Sequence, residues 1–157
     1  MKNIILAFVL CLAVNVVTLA QKIKMANLPE PIKAAFKVKF PAATGVKWEK
    51  ENDKEFEAEF KLGKVEHSAK FDATGNWIET ETEIEKSDLP VSALEYIAKN
   101  YTGYHIDEAE KVEHSTKGNL FEVEVEKGES EMELIFDSTG KFLEEKVESK
   151  MEEKSKK

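Results

Sequence analysis

The chain contains no arginine. All 23 of its basic residues are lysine, set against 31 Asp and Glu for a formal charge of −8. Arginine is the usual instrument for bidentate recognition of phosphate or carboxylate. Net acidity also opposes nucleic acid, whose phosphates demand a basic stripe. Cysteine occurs once, as Cys11, so the chain has no internal disulfide and no thiol beyond that position. The three histidines, His67, His105 and His114, show neither H-x-x-x-H nor H-x-H spacing. A G-x-S-x-G elbow and a D-x-D-x-D-G calcium loop are absent as well. These gaps leave no catalytic constellation and no cofactor to expect.

Apolar runs are scarce except at the start. Lys2 precedes Ile4 to Leu19, which is apolar apart from Asn15 and Thr18, and Thr18-Leu19-Ala20 is a small-x-small site before Gln21. Residues 1–20 read as a signal peptide cleaved between Ala20 and Gln21. The run is short for a membrane span, and Asn15 interrupts it. Phe8-Val9-Leu10 before Cys11 lack the small residue of a lipoprotein site. An exported protein, periplasmic or secreted, with no span in the mature chain is expected. Loss of Lys2 takes the charge from −8 to −9. At the other end, residues 148–157 read as a charged tail.

What is present is a repeat. Phe56-Glu57-Ala58-Glu59-Phe60 running to Phe71-Asp72-Ala73-Thr74-Gly75-Asn76-Trp77 recurs 65 residues later as Phe121-Glu122-Val123-Glu124-Val125 running to Phe136-Asp137-Ser138-Thr139-Gly140-Lys141-Phe142. Alternation with period two puts the apolar set on one sheet face and the carboxylates on the other. Gly63 and Gly128 mark reversals. Asp-x-Thr-Gly reads as a hairpin turn, in which Asp bonds its own backbone and Gly accepts positive φ. Before each copy lies an amphipathic helix. Leu28, Ile32, Ala35, Phe36 and Phe40 are matched by Leu89, Ala93, Tyr96, Ile97 and Tyr101, with Pro29 and Pro90 in the first turn. Asn27 and Asp88 are the expected caps. The helix offset is 61, so the second copy carries four extra residues, placed around His114 to Asn119. The expected fold is α+β, with two tandem repeats, 21–86 and 87–147, each one helix packed on about four antiparallel strands.

Leu-Pro, a helix ending near an aromatic, Glu-Lys, F-E-x-E and F-D-x-T-G-x-aromatic, twice over after a signal peptide, resembles the PepSY-like, β-lactamase-inhibitor-like family. The resemblance runs from Leu28 to Val147. It implies a tandem repeat whose helices cover one face of an antiparallel sheet. It also implies a protein-binding role, since the inhibitor that lends the name grips an enzyme with the other sheet face. This chain differs from that inhibitor in having no cysteine after Cys11.

Single residues point less far. His67 shares apolar parity with Ala69 and Phe71 and reads as a histidine at the edge of the core. His105 and His114 fall near loops and read as solvated. Glu79, Glu81 and Glu83 read as a solvated strand face. Ile135 stands on the polar parity, opposite in character to its counterpart Lys70. A face carrying Glu57, Glu59, Lys70, Glu122, Glu124, Glu133 and Ile135 is the expected partner-binding surface, with Ile135 as an exposed apolar anchor. The expected function is an exported, non-enzymatic protein-binding module for an unidentified protein partner, with inhibition of an envelope or secreted enzyme as its narrower form. The alternative is an acidic calcium or zinc buffer or sensor in the cell envelope, although no metal ligand set is assigned.

Overall fold

The computed structural model describes residues 21–147. The signal-peptide reading of residues 1–20 and the tail of residues 148–157 lie outside the described residues. The strands are β1 (Gln21–Lys22), β2 (Thr44–Lys50), β3 (Glu55–Leu62), β4 (Val65–Asp72), β5 (Trp77–Glu83), β6 (His105–His114), β7 (Gly118–Lys127), β8 (Ser130–Asp137) and β9 (Phe142–Val147). Two helices, α1 (Glu30–Lys39) and α2 (Val91–Asn100), occupy the β1–β2 and β5–β6 connections.

These strands form one nine-stranded antiparallel sheet in simple sequence order. That corrects the expectation of two repeats, each a helix on about four strands. The finding that overturns it is the β5–β6 ladder, which runs from Glu79 opposite His114 to Glu83 opposite Glu110. β5 therefore has no free edge, and the sheet continues through the middle of the chain. β1 also escaped the sequence reading. It is two residues long and pairs Gln21 with Lys50 and Lys22 with Glu49.

Both helices lie over the same face, because each sends its apolar stripe into that side of the sheet. Leu28, Ile32 and Phe36 form a buried cluster with Trp48, Phe56, Ala58, Phe60, Ala69 and Phe71. Phe36 meets Trp48 edge-on at 5.1 Å and Phe60 at 5.2 Å. Leu89, Ala93 and Ile97 form a second cluster with Ala109, Val123, Val125, Leu134 and Phe136. Neither helix is capped by Asn27 or Asp88. Those residues end short 3-10 turns, and the N-cap positions are Pro29 and Pro90, without a side-chain cap. Proline there presets the entry angle while lacking the N–H that a helix start would leave unpaired.

The Asp-x-Thr-Gly turns have the expected mechanism. Asp72 Oδ1 accepts from the Thr74 and Asn76 backbone N–H at 2.8 and 3.0 Å, and Asp137 Oδ1 accepts from Thr139 and Lys141 at the same distances. Gly75 and Gly140 have φ of +88° and +81°. The four extra residues of the second half do not make a loose loop. They lengthen the β6–β7 hairpin, whose two strands have 10 residues each against 7 and 8 for β2 and β3.

Candidate functional site

Both helices cover one side, and among the described residues no helix lies over the opposite side of the sheet. Register defines that face. Glu49, Glu57, Lys70 and Glu79 stand side by side on β2 to β5, and Glu83, Glu110, Glu122, Ile135 and Glu144 on β5 to β9. The seven residues expected to bind a partner share this face, but two of them do not sit as expected. Ile135 is not exposed. It retains 4% of its surface and packs with Val112 and Leu120 in a small apolar cluster of its own. The parity reading was right and the exposure reading was not, because Val112 and Leu120 stand on the same face of the adjoining strands. Glu57 is likewise nearly covered, at 9%, and Glu49 beside it at 5%. Glu59, Lys70, Glu122, Glu124 and Glu133 are half-buried.

Charge on this face is unevenly shared. Lys70 Nζ lies 2.8 Å from both Glu79 Oε1 and Glu81 Oε1. Burial works against its ammonium, yet Glu81, Glu57 and Glu79 outweigh burial and raise its pKa. Lys47 is given to Glu59 at 3.4 Å and Lys146 to Glu133 at 2.7 Å. Lys61 pairs with Glu66. Among the described residues, Glu57, Glu110, Glu122 and Glu124 form no ion pair with a lysine. Burial pushes Glu57 up to about 7 despite Lys70 and with help from Glu81 and Glu51. Burial, then Glu81, Glu108 and Glu122, pushes Glu110 up to about 9. Glu122 rises to about 7 through burial and then Glu133 and Glu81, against Lys146 and Lys70. Glu124 rises to about 7 through burial and then Glu131, Glu108 and Asp107. A hollow of about 410 Å³ opens on this side, with Glu57, Glu59, Ser68, Glu81, Glu83 and Glu110 among its lining.

The histidines separate. His67 stacks on Phe60 at 5.5 Å, its Nδ1 is 3.0 Å from Thr82 Oγ1, and burial lowers its pKa. That is the core-edge role expected of it. His114 is half-buried near Glu79, 3.9 Å away. His105 is exposed and meets Glu126, with Nε2 2.6 Å from Oε1. Sequence spacing missed this contact because the partner lies across the ladder, 21 residues away.

No helix among the described residues is long and apolar enough to cross a membrane. The family model described as "Putative beta-lactamase-inhibitor-like, PepSY-like" matches residues 15–67 and 54–144. Among solved structures, a BLIP-like protein from Bacteroides fragilis is 30% identical, with a TM-score of 0.64 over 76% of this chain and 86% of that one. A DUF2874 family protein from Bacteroides uniformis shares the fold at 21% identity and a TM-score of 0.67, over 76% of this chain and 88% of that one. So does a protein from Bacteroides eggerthii described as "putative periplasmic", at 16% identity and a TM-score of 0.68 over the same shares. No curated protein matches. The chain belongs to the β-lactamase-inhibitor-like, PepSY-like family.

Proposed function

We propose that the chain is an exported, non-enzymatic protein-binding module whose uncovered acidic face takes a lysine- or arginine-bearing segment of a protein partner. The observation that carries this reading is that four carboxyls on one face, Glu57, Glu110, Glu122 and Glu124, are raised in their titration and form no ion pair with a lysine among the described residues. A partner's cations would add to the positive charge that Lys47, Lys70 and Lys146 bring to this face. The strands fix the carboxyls in place, so little side-chain freedom remains to be lost on docking. Inhibition of an envelope or secreted enzyme is the narrower form of the proposal. The family supports it, as does the acidic face lying opposite the helices. Export rests on residues 1–20 together with the periplasmic description given to the Bacteroides eggerthii protein. The reading favours binding over catalysis because the carboxyls whose titration is raised are spread along several strands of an open face and not gathered at one reacting centre.

Affinity capture from an envelope extract tests it. The wild-type chain should retain a partner that raised salt releases, since exposed charges are screened beyond about 8–10 Å at physiological ionic strength. Glu59→Lys combined with Glu108→Lys on the acidic face should abolish retention. Glu30→Lys combined with Glu95→Lys changes the net charge equally on the helix side and should leave retention intact. Equal behaviour of the two pairs would mean that bulk charge, and not this face, does the binding.

A further inference from the structure

The beginning of β6 gathers three potential metal ligands. Between Ile106, opposite Val125, and Ala109, opposite Val123, two residues stand where a regular strand has one. Such a bulge re-aims side chains. Here it brings Asp107 to His105, two residues earlier, and to Glu126, directly across the ladder from His105. One ligand atom from each of the three lies within 4.8 Å of the others. Two neighbouring lysines point elsewhere. Lys127 turns instead to the Thr102 carbonyl at 3.2 Å and to the Tyr104 ring at 5.5 Å, and Lys86 donates to the Ile106 carbonyl.

The first half of the chain supplies an internal comparison. It has a bulge of the same form between Thr44 and Lys47, with Thr44 opposite Lys61 as His105 is opposite Glu126. The matching positions there hold Thr44, Val46 and Lys61, which cannot make a metal site. The fold therefore forms without the His-Asp-Glu set, and the contact of His105 with Glu126 at 2.6 Å accounts for two of its members but not for Asp107.

We infer that His105, Asp107 and Glu126 form a binding site for a divalent transition-metal ion of the zinc class, with solvent completing its coordination. One imidazole nitrogen with two carboxylates suits zinc and its late first-row neighbours, whereas calcium takes six to eight oxygen ligands. His105 and Asp107 are exposed and Glu126 half-buried, so the ion would reach the site from solvent without any opening of the sheet.

Calorimetric titration of the whole protein with zinc chloride, repeated with calcium chloride, is the test. Cobalt(II) in place of zinc provides a visible absorption band as a second readout. The expected result is one zinc per chain, with affinity at least tenfold weaker in His105→Ala and in Asp107→Asn. Both variants should keep the wild-type unfolding midpoint measured without metal. Glu30→Gln, on α1 at the other side of the sheet, should bind zinc as the wild type does. Absence of zinc binding by the wild type, equal binding by His105→Ala, or a calcium affinity matching that for zinc would each overturn the inference.

Discussion

Ile135 and Lys70 occupy the same place in two related hairpins, yet they do opposite things. Lys70 holds two glutamates at 2.8 Å, while Ile135 closes a buried apolar cluster with Val112 and Leu120. The difference was written in the sequence, but in three separate places, and only the β6–β7–β8 register brings the three side chains together. Removing the outer part of a buried isoleucine costs about 2–5 kcal/mol. Ile135→Ala should therefore lower stability by about that much in a denaturant titration. A change within about 0.5 kcal/mol, the range of ordinary surface substitutions, would return Ile135 to the exposed role first expected of it.

At the scale of elements, each Asp-x-Thr-Gly turn does more than reverse the chain. It abuts the start of a helix. A Cβ on Gly75 would stand 2.7 Å from the Pro31 carbonyl oxygen, and one on Gly140 would meet the Ser92 hydroxyl and stand 2.6 Å from Pro90 Cβ. Ser92 Oγ donates to the Thr139 carbonyl at 2.6 Å, tying α2 to its turn. Gly118 also has positive φ, at +79°, but open space where a Cβ would go. Both valine substitutions carry backbone strain of about 1–3 kcal/mol. Gly140→Val adds a collision with α2 and should lower the thermal midpoint further than Gly118→Val. Equal losses would show that the turn–helix contact carries no weight. These elements were legible because their signals are local: period-two alternation, the helical stripes of Leu28 to Phe40 and Leu89 to Tyr101, and the Asp and Gly of each turn. The β5–β6 ladder was not legible. It pairs strands separated by a whole helix, and nothing in Glu79 to Glu83 names His114 to Glu110 as its neighbour. The His105–Asp107–Glu126 group was hidden for the same reason, since its bulge and its cross-strand member appear only with the register.

Over the whole molecule, one continuous sheet has an apolar face under two helices and a bare face crowded with acids. Four carboxyls on that face bind protons more tightly folded than unfolded, where an ordinary glutamate titrates near about 4.3. The folded state thus holds more protons at neutral pH, and stability must fall as pH rises. This contribution is complete below about pH 4.3 and is lost as pH climbs through about 7 for Glu57, Glu122 and Glu124, and through about 9 for Glu110. Asp72, drawn down to about 2 by Thr74 and Asn76, acts the other way, its contribution lost only as pH falls through that value. Basic groups arriving on the face should favour the charged carboxylates and draw their titrations downward. Carboxyl-carbon NMR titration of the four glutamates, with and without hexalysine, observes this directly. Midpoints should lie near 7 for Glu57, Glu122 and Glu124 and near 9 for Glu110 in the free protein, all moving down when hexalysine is added. Midpoints near the ordinary value in the free protein, or raised midpoints that hexalysine leaves unmoved, would show that this face does not take a cationic segment.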